Sequence, residues 1–370
     1  MGEHRLAVRV QGIEPSGIRK IFDRVPLAKN PINLTMGEPD FDVPALIKDA
    51  AKEAIDRGLN KYTPTQGIAP LREAIKEHLR ARNLPFEEVM ITAGVSGGLV
   101  LSSLSLINPG DEVLIPDPFF VMYRYMVLLS GGAPVFLDTY PDFKLSAETL
   151  ENSITPRSKL LLLNSPNNPT GAVLSAAELD ELAHIVRRHN LFVISDEIYD
   201  HFLYDHRKHE SISTRDLPTL ILGGFSKTYG MTGWRLGYAA GPAWLIRQMT
   251  IMQQYSFTSA NSVAQYATLK AFACDMSPQI ADLERRRDLI YQGLRALGFQ
   301  PVRPEGAFYI FTPVPPGYTS ESFVERCIAE ELFLIPGAAF SMRDTHFRIS
   351  FAAAESTLHR ALVVLEKLKP

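Results

Sequence analysis

Cysteine is nearly missing: Cys274 and Cys327 are the 2 in a chain of 370 residues. They stand too far apart for a CxxC metal pair, and two cysteines make no disulfide framework. They read as small buried or half-buried thiols of a reducing compartment. Neither sign of charge is in excess, the formal net charge being -3. Nothing therefore directs the chain to nucleic acid or an acidic membrane. Long hydrophobic runs are lacking as well. The stretch from Gly98 to Ile107 is broken by serines and is too short to cross a bilayer. No apolar core follows Met1-Gly2-Glu3-His4-Arg5, so no secretory leader is expected. Internal repeats, low-complexity segments and long linkers are also missing. These absences lead to the expectation of a cytoplasmic protein with no metal site, no nucleic-acid partner and no membrane partner.

What is present is ordinary globular composition, 46% hydrophobic and 21% charged. The length allows one large domain or two, with a substantial core. Residues 1–30 lack periodicity and are broken by Pro15-Ser16-Gly17 and Pro26, as in an entry arm. Gly37-Glu38-Pro39-Asp40-Phe41 is turn-rich. Pro44 and Gly58 bracket a helix, and Leu71, Ile75 and Leu79 mark a second one. From about residue 88 short apolar runs alternate with helical stretches. Strands are expected at 89–92, 112–115, 133–137, 159–163, 191–194, 219–222 and 236–240, and Ser175-Ala176-Ala177-Glu178 is a capping box. Near-continuous apolar strands between helices indicate a mostly parallel sheet covered on both faces, an α/β fold. After about residue 275 come a long charged helix, a strand over 307–311, a helix over 322–331, an alternating strand over 346–351 and a last helix. That pattern suggests a smaller α+β domain.

Ligands of such sheets bind at the carboxyl ends of the strands, and the notable residues from Gly94 to Lys227 all fall there. Lys227 stands in Gly223-Gly224-Phe225-Ser226-Lys227-Thr228-Tyr229-Gly230-Met231-Thr232-Gly233-Trp234-Arg235-Leu236-Gly237. A lysine partly desolvated beside a strand end is a nucleophile for a carbonyl. Arg235 has the planar fork that suits a phosphate. Gly94-Val95-Ser96-Gly97 is either a plain strand-to-helix turn or a phosphate cradle. Asp196 is either a helix cap or the partner of a ring nitrogen. Tyr199 and Phe120 are either core aromatics or ligand contacts. Asn168 lies in a Pro-Asn-Asn-Pro turn, where turn chemistry alone explains it. Arg348 sits either on a solvent face or as a carboxylate clamp. Taken together, the second readings describe a ring that bears an aldehyde and a phosphate and acts on an amino acid.

That inventory resembles the fold-type I pyridoxal-phosphate enzymes, specifically the class I/II aminotransferases related to aspartate and aromatic aminotransferases. The resemblance is carried by Asn164-Ser165-Pro166-Asn167-Asn168-Pro169-Thr170-Gly171, Ser195-Asp196-Glu197-Ile198-Tyr199 and the lysine stretch, and it runs from Gly37-Glu38-Pro39 to Arg348. It implies a seven-stranded, mostly parallel sheet between helices in a large cofactor-binding domain over 44–275. An arm with part of a small domain would cover 1–43, and the small domain would cover 276–370.

It further implies pyridoxal 5'-phosphate in Schiff-base linkage to Lys227, the proton shuttle. Asp196 would hold the ring nitrogen protonated, Tyr199 and Asn168 would bond the phenolic oxygen, and Phe120 would stack on the ring. Val95, Ser96 and Arg235 would hold the phosphate. Arg348, with Asn168 and the Gly37 backbone, would clamp the substrate carboxylate. Tyr62 would reach the phosphate in a neighbouring subunit, which implies a homodimer.

Two departures stand out. Gly224 occupies the place of a phosphate-binding serine found in many relatives, with Ser226 as a candidate substitute. Ser96 stands where some aspartate-type relatives have a lysine. The expected reaction is transfer of an amino group from an L-amino acid, aspartate or aromatic, to a 2-oxo acid such as 2-oxoglutarate. Phe120, Tyr123, Phe257, Phe308 and Phe340 are candidates for an aromatic-tolerant pocket. An alanine or other neutral-donor aminotransferase, or a carbon–sulfur lyase of the same fold, is the alternative.

Overall fold

The computed structural model of the chain describes residues 6–11 and 13–369. Met1 to Arg5, on which the expectation about a leader rests, lie outside the described residues.

A two-residue strand, β1 (Ile32–Asn33), precedes the main sheet. That sheet comprises β2 (Glu88–Thr92), β3 (Glu112–Asp117), β4 (Ala133–Asp138), β5 (Ser158–Asn164), β6 (Phe192–Asp196), β7 (Thr219–Gly224) and β8 (Gly237–Gly241). It is seven-stranded, in the order β2-β8-β7-β6-β5-β3-β4. β8 pairs antiparallel with both β2 and β7, and the other pairings are parallel.

The continuous apolar runs follow from burial on two faces. Along β5, Leu160 and Leu162 enter one hydrophobic core, while Leu161 and Leu163 enter another. Side chains of a strand alternate between faces, so a strand covered on both sides is apolar at successive positions. Helix Ala45–Asp56 starts after Pro44 and ends before Gly58, whose φ is +70°. Helix Ala69–Ala81 buries Leu71, Ile75 and Leu79 on one face. The capping box is present: Ser175 Oγ accepts from Glu178 N, and Glu178 accepts from Ser175 N.

A second, antiparallel sheet holds β9 (Tyr309–Pro313), β11 (Ile335–Pro336) and β12 (His346–Ser350), with β12 in the middle. β10 (Leu332–Phe333) pairs in parallel with β1. Ile32 and Leu34 thereby join the core of Phe308, Phe311, Phe323, Phe347 and Leu358.

Two local expectations change. Pro15-Ser16-Gly17 is a helix start rather than a break: Ser16 Oγ accepts from Arg19 N and caps helix Gly17–Phe22. β9 begins two residues later than expected, because Ala307 has φ +54° and its N–H donates to Phe202 O instead of a strand neighbour.

Candidate active site

Parallel strands bring their carboxyl ends to one edge. At this edge β2 leads to Gly94, β3 to Phe120, β5 to Asn168, β6 to Asp196 and Tyr199, and β7 to Lys227. Because β8 runs the other way, Arg235, just before its start, reaches the same edge. A cavity of about 250 Å³ lies there. Of the expected residues, Gly37, Val95, Ser96, Phe120, Asn168, Asp196, Tyr199, Lys227, Arg235 and Arg348 all line it.

Lys227 is half-buried, and its Nζ donates to Gly37 O at 2.6 Å. Burial pulls its proton affinity down, from 10.5 to about 8. The Glu38 carboxylate opposes that shift, while the Arg235 and Arg348 cations add to it. Asp196 is pushed the other way: burial raises it from 3.8 to about 6, against hydrogen bonds from Tyr123 and Ile198. Tyr123 Oη donates to Asp196 Oδ2 at 2.7 Å, and Ile198 N donates to Oδ1 at 3.2 Å. Asn164 ties the neighbouring strand ends together, donating to Asp196 O and accepting from Asn168 N, each at 2.9 Å.

Helix Gly94–Leu106 opens at this edge, and first-turn N–H groups of a helix have no intrahelical acceptor. Gly94 has φ +71°, and a Cβ on it would lie 2.9 Å from Arg235 Nη2. A Cβ on Gly237 would lie 2.8 Å from the Gly94 carbonyl carbon. The glycines thus let the arginine and the helix start converge. Arg235 itself has φ +55°, and its Nη1 donates to Thr232 O at 2.9 Å.

Arg348 is 1% exposed. Its Nη1 donates to Asn168 Oδ1 at 2.9 Å and its Nη2 to Thr35 O at 2.8 Å. Its Nε has no partner, and no carboxylate pairs with it among the described residues. The guanidinium lies 4.4 Å from the Tyr309 ring centroid and 4.6 Å from that of Phe340.

Other expected residues fall elsewhere. Tyr62 is 89% exposed and does not line the cavity. Phe257 is half exposed, and Phe308 is buried in the second core. Gly224 lies outside the cavity, where its Cβ would face Ile198 Cδ1 at 3.1 Å, whereas Ser226 lines the wall. Sequence reasoning missed Ile18, Leu99, Asn164, Ile198 and Tyr309 as lining residues. Asn164 was visible as the first residue of its own turn motif, while Ile18 and Tyr309 carry no local signal. One group of possible metal ligands, His78, Asp200 and His201, meets outside this cavity. There the Arg82 guanidinium already ion-pairs with Asp200.

These features fit pyridoxal 5'-phosphate. A buried carboxylate waits for a cationic N–H, a glycine-lined helix start meets an arginine, and a half-buried amine of lowered basicity lines the same cavity.

The comparisons agree with this reading. The family model "Aminotransferase class I and II" matches residues 29–365. Aromatic-amino-acid aminotransferase 2 of Thermococcus litoralis is 40% identical, covering 98% of this chain and 98% of its own. An aspartate aminotransferase of Pyrococcus abyssi is 41% identical, covering 97% of each. The solved structure of the Thermus thermophilus aspartate aminotransferase with maleate superposes with a TM-score of 0.92 at 37% identity, covering 98% of this chain and 99% of that one. The chain therefore belongs to the class I and II aminotransferases, pyridoxal-phosphate-dependent enzymes that transfer amino groups.

Proposed function

We propose that the protein moves the amino group of an L-amino acid, aromatic or aspartate, to a 2-oxo acid such as 2-oxoglutarate. The observation that carries this reading is Arg348, a buried guanidinium without a carboxylate on the wall of the Lys227 cavity. An unpaired buried cation is costly, and an α-carboxylate supplies its missing acceptor. The relatives' names, aromatic-amino-acid and aspartate aminotransferase, support the donor classes. Among the described lining residues, Lys227, Arg235 and Arg348 are the lysines and arginines. No lysine or arginine among the described lining residues is left over for a side-chain carboxylate once those three have their roles, which favours aromatic donors of the two.

Bound pyridoxal phosphate supplies an aldehyde on a ring that draws electrons from the substrate's α-carbon. Lys227 holds that aldehyde and then, as a free amine, carries the proton away from the α-carbon. Asp196 keeps the ring nitrogen protonated. Tyr199 and Asn168 meet the phenolic oxygen; Asn168 Oδ1 faces Arg348, so its amide N–H groups remain to donate. Phe120 covers the ring face. Val95, Ser96 and Arg235 grip the phosphate, with Ser226 in reserve where Gly224 has no hydroxyl. Arg348, steadied by Asn168 and helped by the Gly37 backbone, orients the substrate. The donor leaves as a 2-oxo acid before the second oxo acid enters the same pocket.

Three further assignments belong to this reading. The chain divides into an arm with part of the small domain (1–43), a large domain (44–275) and a small domain (276–370), supported by the separate sheets and by the pairing of β1 with β10. It forms a homodimer in which Tyr62 meets the neighbour's phosphate, supported by the exposure of that large aromatic side chain. No helix among the described residues is long and apolar enough to cross a membrane. The free thiols Cys274 and Cys327 support a reducing, cytoplasmic setting.

A donor panel with 2-oxoglutarate tests the substrate reading. Glutamate should form with phenylalanine or tyrosine, and more slowly with aspartate. Turnover with none of them sinks the donor assignment. With an S-substituted cysteine added to the panel, release of a thiol with ammonia and pyruvate, and no glutamate, would favour a carbon–sulfur lyase.

A further inference from the structure

Asp196 has to meet the ring nitrogen with one carboxylate edge, and it has to stay ionised in a dry place. Burial works against that charge. The side chain that answers burial is Tyr123, fully enclosed, with its hydroxyl 2.7 Å from Asp196 Oδ2. It lies on helix Met122–Leu129, next to the turn in which Tyr123 N donates to Phe120 O at 3.0 Å. The Phe120 and Tyr123 rings meet edge to face, 5.6 Å between centroids. One helix start therefore sets both the wall at Phe120 and the donor behind Asp196.

We propose that Tyr123 is a positioning residue for the reaction: its hydroxyl holds the Asp196 carboxylate in the orientation that meets the cofactor's ring nitrogen. This rests on the assignment of Asp196 as that nitrogen's partner. Tyr123, one of the aromatic pocket candidates, lines the cavity, and its hydroxyl is committed to Asp196. No other side chain donates to the Asp196 carboxylate among the described residues. The Ile198 N–H steadies the second oxygen but is longer, at 3.2 Å.

The test compares Tyr123→Phe with the parent enzyme, using two ligands for each apoprotein. One is pyridoxal phosphate and the other is its analogue with carbon in place of the ring nitrogen. A hydrogen bond to a charged group is worth about 10- to 100-fold. The Kd for pyridoxal phosphate should rise by that factor in the variant, while the Kd for the carbon analogue should change less than about twofold. In turnover kcat should fall about tenfold or more. KM for the amino donor should hold within about threefold, because the Arg348 clamp is untouched.

An equal loss for both ligands would mean a merely structural role and overturns the proposal, as does no loss for either. If the parent enzyme binds the two ligands equally, the Asp196 assignment fails, and this proposal falls with it. Leucine at the same position guards against misfolding of a single variant: Tyr123→Leu should show the same selective loss, and a non-selective one counts against the hydroxyl.

Discussion

Inside a protein a guanidinium can be held without a carboxylate if ring faces and carbonyls surround it. Arg348 is held in that way by Tyr309, Phe340, Thr35 O and Asn168. Lysine cannot repeat the fork. Arg348→Lys should raise KM for both the amino acid and the oxo acid about 10- to 100-fold in steady-state assays, with a smaller change in kcat. Lys227→Ala should abolish the near-visible absorbance of the Schiff-base linkage and lower turnover by about a thousandfold or more. Asp196 carries a stability prediction as well. Its folded pKa of about 6 lies above the ordinary 3.8. The folded state therefore binds the proton more tightly, and an ionised Asp196 costs stability in full above pH 6 and not at all below pH 4. Asp196→Asn should therefore stabilise the apoprotein by about 1–2 kcal/mol at pH 8 and by little at pH 4, read from urea unfolding, while turnover is lost. These residues were legible because Lys227, Asp196 and Asn168 carry rare chemistry in or beside recognisable turns, and Arg348 is a charge within an alternating strand. Tyr309 and Ile18 were not, since an aromatic in a strand and an isoleucine in an arm look like core until the folded chain places them.

At the scale of elements, the close approach of β8 to the Gly94 turn is the tight fit. A Cβ on Gly237 meets backbone, the Gly94 carbonyl carbon at 2.8 Å and Val95 N at 2.9 Å, and backbone cannot swing aside. On Gly94 the obstacle is the end of the Arg235 side chain, which can move, although φ +71° still strains any other residue. Gly237→Ala should therefore weaken cofactor binding more than Gly94→Ala, both measured by equilibrium dialysis. The helices were easier to read than the strands of the second sheet. Ser175 and Glu178 announce their helix locally, whereas the start of β9 depends on a hydrogen bond from Ala307 to Phe202, more than a hundred residues away. Sequence periodicity has no access to such a partner.

Across the whole molecule, Arg287 joins regions far apart in the chain. It is 0% exposed, pairs with Asp205, Glu284 and Asp288, and lies 4.7 Å from the Tyr204 ring centroid. Removing one partner of a buried ion pair typically costs about 3–5 kcal/mol. Arg287→Ala should lower stability by roughly that range, less a share for the half-exposed carboxylates, in urea unfolding of the holoenzyme.

The reversed strand has one more consequence. Lys227 and Arg235 lie on the same short connection between β7 and β8, so on the proposed roles a single stretch of chain grips both ends of the cofactor. That connection acts as a ruler. One alanine inserted between Gly230 and Met231 would leave every contact group in the sequence and still set the wrong span. The protein should then favour a ligand whose phosphate arm is longer by a bond over the natural one.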